Sequence, residues 1–352
     1  MTGVLPWQWP RTALPPLLAA RLRVRPEDFL VEEELPFTLT GAGEHLWLRI
    51  RKRGLNSEQV AVALGRAAGV ARRDVGYAGM KDRHAETIQW FSLLLGQRPA
   101  PDWRTLPPGI EVLEVTRHAR KLKTGALSGN RFVLVLREVE GDPDALAQRV
   151  EAVRQEGVPN YFGEQRFGRG GENIERAAAM FSGNVPVASR HKRGLYLSSA
   201  RSLIFNEVLA RRVQDASWNR LLDGETVVLD GSRSFFVAGQ IDAELIGRLA
   251  RHDIHPSGPL WGKGEPASRG AVRALEDQVA ARYATLATGL AAAGLAQERR
   301  ALRLVPRELE VTWLDDATLS LRFGLPAGCY ATVLVRELAE YQDVGTGAPA
   351  EA

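Results

Sequence analysis

The stretch from Gly76 to Thr87 concentrates side chains that can do chemistry. At its centre, Asp82 stands between Lys81 and Arg83. Opposite charges nearby favour the ionised form of a carboxyl group, and an ionised carboxylate can act as a nucleophile that forms a covalent intermediate. A solvated turn, whose charges serve only solubility, explains the same residues. Chemistry alone therefore leaves both interpretations of Asp82 open.

Two neighbouring elements would position this stretch. Residues 87–95 form an apolar run typical of a buried strand, so Asp82 is predicted to lie on a loop held by a rigid strand, where functional groups are often found. Before it, Asn56 or Ser57 can cap the start of a helix, and Gly69 can end that helix. The loop is thus expected to follow a helix and to lead into a buried strand.

A second cluster of functional side chains spans residues 117–132. Cations suit phosphate, whereas an amide and an aromatic ring, here Asn130 and Phe132, suit a nucleotide base. A solvated charged face is the alternative, but glycines interleave the run and strands flank it, which favours binding. The basic side chains of this run that would contact the phosphates of a nucleic acid are Arg117, Arg120, Lys121 and Lys123.

Composition limits the class of protein. The chain has 352 residues, of which 45% are hydrophobic and 25% charged, which is ordinary for a globular protein and predicts about two domains. A net charge of +4 permits a polyanionic partner. The single cysteine, Cys329, allows no internal disulfide and fits a reducing compartment. No apolar run approaches the roughly 20 residues that span a bilayer, and no secretory signal is recognised, so we expect a cytoplasmic protein without a membrane partner.

Several other functional classes are disfavoured by spacing. The glycines at 168, 170 and 171 lack the spacing of a dinucleotide fingerprint, and the segment ending at Gly264 is one residue short of a phosphate-binding P-loop. His252 and His255 have no third histidine or cysteine nearby to complete a metal site. Cys329 lies before an apolar run, where a packed residue is favoured over a nucleophile.

The order of patterns along the chain predicts its organisation. Alternating, strand-like segments dominate before about residue 157 and return near residue 306, and helical patterns dominate between them. This order fits one α+β domain interrupted by an inserted domain. Within the insert, residues 270–293 read as one long helix. The small and polar residues 342–352 are expected to lack regular structure.

Several segments, taken in order along the chain, resemble the tRNA pseudouridine synthase D family. The most specific is residues 78–85, which read Ala-Gly-Met-Lys-Asp-Arg-His-Ala. The other matching segments are residues 26–29, 118–132, 159–168 and 326–332. One departure is Tyr330, where the family more often has Phe; a stacking ring is retained. The matches span nearly the whole chain.

The resemblance implies a fold. Residues 1–156 and 306–345 would build the pseudouridine synthase catalytic domain, an α+β domain with a mixed, mainly antiparallel sheet and flanking helices in permuted order. Residues 157–305 would form the inserted α/β TRUD domain, and residues 346–352 a disordered tail. RNA would bind in the cleft between the two domains, and we expect a monomer.

The resemblance also implies an activity, the isomerisation of uridine to pseudouridine at position 13 of tRNA. The reaction breaks the N1–C1′ bond, turns the uracil and joins C5 to C1′. No electrons are lost or gained, so no metal, nucleotide or redox cofactor is expected. A carboxylate nucleophile splits such a reaction into easier steps; Asp82 is the candidate, with attack at C1′ and at C6 both left open. A uridine in a stem must first be flipped out.

The remaining roles also rest on the resemblance. Asn130 would hydrogen-bond the flipped nucleotide, and Phe29 and Tyr330 would pack against it, although sequence context alone favours Phe29 as a core residue. Phe132 would shape the pocket. Lys81 and Arg83 would bind phosphate or set the charge of Asp82.

Three alternatives accompany this interpretation. The first is an RNA-binding protein without catalysis, in which Asp82 is only a salt-bridge partner. The second is another RNA-modifying enzyme such as a methyltransferase, for which the expected glycine-rich nucleotide loop after the first strand is missing. The third, a metal-dependent nuclease, would use Asp82 and Glu86.

Overall fold

A computed structural model describes residues 9–12 and 18–346 of the chain. The strands, numbered β1 to β16 in chain order, are Leu18–Leu22, Phe29–Glu34, His45–Lys52, Val75–Tyr77, Glu86–Leu94, Ile110–His118, Gly129–Gly141, Val158–Pro159, Thr226–Leu229, Phe235–Val237, Ile254–Leu260, Glu298–Ala301, Arg303–Leu304, Arg307–Asp315, Thr318–Pro326 and Ala339–Asp343. The helices, numbered α1 to α8, are Ser57–Ala68, Pro143–Glu156, Glu172–Phe181, Arg190–Gln214, Ala243–Ala250, Gly270–Arg282, Ala284–Ala292 and Ala331–Leu338.

The chain divides into two compact units. Among the described residues, unit 1 comprises 9–12, 151–305 and 329–337, and unit 2 comprises 18–150, 306–328 and 338–346. The domain boundaries expected at 156/157 and 305/306 stay a prediction, and the predicted tail lies, from residue 347 onward, outside the described residues.

Unit 2 is built on one large mixed sheet. Its main path runs β14-β15-β7-β2-β5-β3-β6, with β1 and β4 pairing onto β7 and β5, and β16 onto β1. Only the β1–β16 and β2–β5 pairs are parallel within the described part of this sheet. The α+β class with a mixed, mainly antiparallel sheet is thus confirmed.

Both faces of the central strands β3 and β5 are covered, because successive side chains of a strand point to opposite faces. On one face, Leu48 and Phe91 pack under Val60 and Leu64 of α1. On the other, Trp47, Trp90 and Leu122 form a second apolar cluster. This double burial explains why β5 reads as a continuous apolar run, as residues 87–95 predicted.

The helix before the candidate loop forms where its end signals indicated. The Asn56 side chain accepts from Gln59 N in a capping box, and α1 then runs from Ser57 to Ala68. Gly69 closes it with φ 59°, in the left-handed region that glycine tolerates. α1 is therefore a firm element beside the candidate loop.

Unit 1 is helix-rich. A sheet of order β10-β9-β11-β12 packs with helices that include the 25-residue α4, and β8 pairs with β13. The buried Arg212 and Glu225 side chains form an ion pair at 2.8 Å. Such buried charges are tolerated because they are paired and hydrogen-bonded.

Two sequence-based expectations about individual elements are wrong. Residues 270–293 form two helices rather than one, because the backbone leaves the helical region at Tyr283 (φ −111°, ψ 39°). Gln342 and Asp343, expected to lack regular structure, complete β16, which pairs in parallel with β1. In the described part of the chain, the helices are too short or too polar to cross a bilayer.

Candidate functional site

The candidate loop, residues 78–85, connects β4 to β5 at one end of the central strands of the unit 2 sheet. The register brings the ends of two other strands to the same place: Leu30 of β2 pairs with Glu86, and Lys52 of β3 pairs with Thr87. The loop therefore starts from a rigid sheet, as its sequence context predicted, and lies beside the start of β2 and the end of β3.

Side chains from α1 and β5 hold the loop in place. Ser57 Oγ accepts a hydrogen bond from Lys81 N at 2.9 Å and donates to Gln89 Oε1 at 2.8 Å. Gln89 Nε2 in turn donates to Gly79 O at 2.6 Å. Because Ser57 and Gln89 are fully buried, losing either would leave a buried polar partner unsatisfied.

Gly76 is needed for a close approach between two parts of the protein. A Cβ at this position would lie 2.4 Å from Leu122 O and 2.8 Å from Ser92 Oγ. The tight contact is thus with the chain that follows β6, rather than with a ligand. Gly79, in contrast, has open space where a Cβ would lie.

The carboxylate of Asp82 remains accessible, with 40% of its side chain exposed. Oδ1 accepts from the backbone of His84 at 2.9 Å, and Oδ2 accepts from Arg23 Nη1 at 2.6 Å. A buried guanidinium and a backbone N–H thus each donate to one oxygen of the carboxylate. The oxygens of Asp82 are therefore oriented from two sides and still open to a ligand.

Arg23 was missed by sequence reasoning. Its side chain is 5% exposed, and its guanidinium also binds both oxygens of Asp343. Burial disfavours the charged guanidinium, but the hydrogen bond and charge of Asp343 and the charge of Asp82 outweigh it and raise the pKa of Arg23. The backbone at Arg23 has φ 58°, a left-handed conformation that costs a non-glycine residue about 1–3 kcal/mol.

Lys52 is a second buried cation at the site that sequence reasoning missed. Its fully buried ammonium donates to Leu55 O and to the backbone oxygen of Asp82, both at 2.8 Å. Burial lowers the pKa of Lys52 to about 8, against the opposing charge of Asp82. Lys52 thus ties the end of β3 to the backbone of the candidate nucleophile.

Lys81 points into the sheet. Its Nζ donates to Asn130 Oδ1 at 2.5 Å and lies 3.2 Å from Glu33 Oε1. Asn130 is 9% exposed and the Glu33 side chain is fully buried. The role expected for Lys81, phosphate binding or charge adjustment at Asp82, stays a prediction. Arg83 is exposed, as a phosphate-binding side chain would be.

The aromatic residues of unit 2 pack on one another. Phe29 is 8% exposed and meets Phe132 edge to face, with ring centroids 6.3 Å apart. Phe132 stacks on Phe323 at 5.4 Å. The guanidinium of Arg23 lies 5.1 Å from the centroid of the Phe29 ring. Phe29 therefore packs in the core and also supports the cation that holds Asp82.

Tyr330 belongs to unit 1, whereas Asp82 belongs to unit 2. Within unit 1, the Tyr330 hydroxyl accepts from Arg166 Nε at 2.8 Å, and its ring lies edge to face with Phe162. A Cβ on Gly163 would come within 2.9 Å of that ring. The predicted packing of Tyr330 against a flipped base stays a prediction.

The basic run after β6 divides into two kinds of side chain. Arg117 donates to the carbonyl oxygens of Gly43, Gly96 and Arg98, and Lys121 donates to the carbonyl of Arg73. Arg120 and Lys123 are exposed. The exposed pair is available for an RNA backbone, whereas Arg117 and Lys121 already bind the protein's own chain.

Glu86, a candidate of the metal-dependent nuclease, and His255, a candidate of the histidine metal site, both have other partners. Glu86 lies 3.2 Å from Arg51 Nε and 2.5 Å from Arg53 Nη2, so both of its carboxylate oxygens already face arginines of β3 and the turn after it. In unit 1, His255 lies between Asp230 and Arg303, at 3.0 Å from each.

Comparison with known proteins gives a consistent result. The family model of tRNA pseudouridine synthase D (TruD) matches residues 15–185 and 178–338. The tRNA pseudouridine synthase D of Nitrosococcus oceani is 51% identical over 332 residues, which are 94% of this chain and 93% of the relative. That of Methylococcus capsulatus is 50% identical over 326 residues, 92% of each chain. A crystal structure from Methanosarcina mazei that carries the same name has a TM-score of 0.71 at 21% identity, and covers 94% of this chain and 95% of that one. That last likeness supports the fold alone.

Proposed function

This chain belongs to the tRNA pseudouridine synthase D family, and on that premise we propose that it isomerises uridine to pseudouridine at position 13 of tRNA. The observation that carries the chemistry is the Asp82 carboxylate, 40% exposed and oriented by the buried Arg23 at 2.6 Å. A charged, accessible and preoriented carboxylate is what a nucleophile or a stabiliser of positive charge at C1′ requires.

The reaction proceeds without any net loss of electrons. The N1–C1′ bond breaks while Asp82 holds the reacting nucleotide, by attack at C1′ of the sugar or at C6 of the base. The uracil turns, C5 joins C1′ and the bond to Asp82 breaks. The proton on C5 leaves to solvent and N1 takes up a proton from solvent, so the product is an isomer of uridine. Arg23 donates to the carboxylate oxygen and so stabilises its negative charge whenever Asp82 is released as a leaving group.

The other site residues bind and hold the flipped nucleotide. Asn130 hydrogen-bonds it, Phe29 and Tyr330 pack against it, and Phe132 shapes the pocket. Arg83 binds a nearby phosphate, and the exposed Arg120 and Lys123 bind the RNA backbone. Flipping a uridine out of a stem costs a few kcal/mol, which these contacts must offset.

We further propose that the protein works as a monomer in the cytoplasm, without a metal or a nucleotide cofactor. The chemistry supports this, because an isomerisation consumes no oxidant, reductant or activated group. Residues 157–305 act as the inserted domain, and the segments on either side of them build the catalytic domain.

Tritium release from tRNA labelled at C5 of uridine tests the proposal. Bonding of C5 to the sugar, followed by deprotonation, frees the label, so the assay follows the proposed reaction. The wild type in EDTA, without cofactors, should release tritium, and Asp82→Asn should not, while binding tRNA with an affinity within about twofold of the wild type. Asp316→Asn, an exposed carboxylate between β14 and β15, is the matched control and should be fully active. Tight tRNA binding with no release by the wild type would overturn the synthase and leave an RNA-binding protein.

A further inference from the structure

Three side chains form a short chain of contacts inside unit 2. The pairing of β2 with β7 places Glu33 directly opposite Asn130. The ammonium of Lys81 lies over both, 2.5 Å from Asn130 Oδ1 and 3.2 Å from Glu33 Oε1. Lys81 immediately precedes Asp82 in the chain, so the Asn130 amide is coupled to the loop that carries the candidate nucleophile.

The ammonium fixes which way the amide of Asn130 faces. A lysine ammonium has three donors and no acceptor, so only the oxygen of Asn130 can turn towards it. The amide nitrogen, Nδ2, has no acceptor among residues 9–12 and 18–346 and is not among the fully buried unpaired nitrogens. Asn130 therefore presents an accessible N–H donor away from Lys81.

Glu33 keeps Lys81 in this position. The carboxylate is fully buried, and its other oxygen accepts from Trp90 N at 2.9 Å. Burial raises the pKa of Glu33, while the charge of Lys81 opposes that shift. A buried charge of this kind is strongly unfavourable without a partner, which explains why the ammonium lies towards the sheet instead of towards solvent.

We propose that Lys81 is a positioning residue that locks the Asn130 amide, so that Asn130 donates a hydrogen bond to a carbonyl oxygen of the flipped uracil. The proposal rests on the proposed function, and it assigns Lys81 to the interior instead of to a phosphate. Uracil offers carbonyl oxygens as acceptors, and an amide locked in one orientation cannot turn its own oxygen towards them. The lock thus preorganises recognition of the base before it arrives.

The direction of the hydrogen bond is tested at Asn130 itself. Asn130→Asp keeps the shape and can still accept from Lys81, but it replaces the outward N–H by an oxygen. Losing one such hydrogen bond should lower kcat/KM for tritium release by about 10- to 100-fold, with tRNA affinity little changed. Asn130→Ala gives the cost of losing the side chain and should be no worse than Asn130→Asp. Wild-type kcat/KM in Asn130→Asp would overturn the proposed donor.

The action of Lys81 through Asn130 is tested by a double-mutant cycle. Lys81→Met should lower kcat about tenfold in the wild-type background but less than about twofold in Asn130→Ala, because residues that act together have non-additive effects. Equal losses in both backgrounds would mean a role independent of Asn130 and would overturn the proposal. Thermal melting checks that each variant folds. If Lys81→Met unfolds because the Glu33 carboxylate is then buried without a cation, the same cycle is run in a Glu33→Gln background, which removes that charge.

Failure of this inference can be told apart from failure of the proposed function. Tritium release by the wild type, measured in the same series, establishes the activity. Additive losses in an active protein overturn only the lock on Asn130. A wild type that binds tRNA but releases no tritium overturns the activity and, with it, this inference.

Discussion

At the scale of single residues, the accessible Asp82 carboxylate depends on a buried cation that is distant in sequence. Arg23 joins Asp82 to Asp343 and rests on the ring of Phe29. It does so from a left-handed backbone conformation, and strain of this kind persists where the surroundings over-determine it. Two carboxylates on one guanidinium offset the cost of burying that charge.

Replacing Arg23 should therefore affect catalysis more than tRNA binding. Arg23→Met removes the charge and both ion pairs, and we expect kcat for tritium release to fall by about 100-fold, as for loss of a charged hydrogen bond. Arg23→Lys should recover part of this loss, because an ammonium keeps the charge but cannot bridge two carboxylates as a guanidinium does. The measurement is kcat together with the Kd for tRNA.

Arg21→Met is the matched control for this series. Arg21 lies two residues earlier, in β1, and pairs with Glu138 at 2.7 Å, but 36% of its side chain is exposed. Exposed pairs contribute about 0–1 kcal/mol, so kcat should be nearly unchanged. Equal losses in Arg21→Met and Arg23→Met would show that Arg23 does not act through Asp82.

Sequence reasoning found the carboxylate but not its partners, and the reason is physical. Lys81 and Arg83 adjoin Asp82 in the chain, yet the described ion pair of Asp82 is with Arg23. Arg21, Leu22 and Arg23 alternate basic and apolar residues, which is typical of a half-buried strand, but nothing local indicates that the Arg23 side chain is buried. The other partner of Arg23, Asp343, lies in a small and polar segment whose composition predicts no regular structure.

At the scale of elements, the loop is held by side chains from α1, β3 and β5. Ser57 and Gln89 hold its first half, and Lys52 holds the backbone oxygen of Asp82. End signals in the sequence were enough to predict α1, and apolar runs were enough to predict β5. The contacts between them could not be predicted, because they depend on the register of strands that are far apart in the chain.

The ammonium of Lys52 predicts opposite pH dependences for activity and stability. Its pKa is lowered by burial from an ordinary 10.5 to about 8. At pH 7 the charged group donates to Asp82 O, and kcat should fall as the pH rises through about 8, because a neutral amine donates more weakly. Between about pH 8 and 10.5 the unfolded chain binds more protons at this group than the folded protein does. The contribution of Lys52 to the free energy of unfolding therefore rises as the pH rises through that window, and it is lowest below about pH 8.

Lys52→Met separates this group from others that titrate in the same range. Its kcat should be lower than that of the wild type at pH 7, and the gap should narrow towards pH 9. The free energy of unfolding of Lys52→Met minus that of the wild type should be most positive at pH 7 and should decrease towards pH 10. An alkaline fall of kcat that is the same in both proteins would rule out Lys52 as its cause.

At the scale of the whole molecule, the two units are each built from separated segments of the chain. β14 and β15 return after the long insert to extend the sheet at β7, and β16 closes onto β1. The order of sheet-rich, helix-rich and sheet-rich segments could be predicted from sequence, as could the family. The extent of unit 1 beyond the insert, at residues 9–12 and 329–337, could not, because it follows from tertiary contacts that leave no local pattern.

The charges exposed by this architecture predict how salt affects tRNA binding. Each cation that neutralises a phosphate releases a counterion, so losing one should reduce the slope of log Kd against log salt by about 0.7–0.9. Arg120→Ala and Lys123→Ala should each do so, since both side chains are exposed. Arg117→Ala should instead lower the melting temperature and leave the slope nearly unchanged, because the Arg117 guanidinium binds three carbonyl oxygens of the protein.

The control for these variants is Arg104→Ala, which removes one positive charge elsewhere. The Arg104 side chain is 90% exposed in the loop before β6. If Arg104→Ala reduced the slope as much as Arg120→Ala, net charge alone would govern binding, and the basic run after β6 would not be the surface that holds RNA.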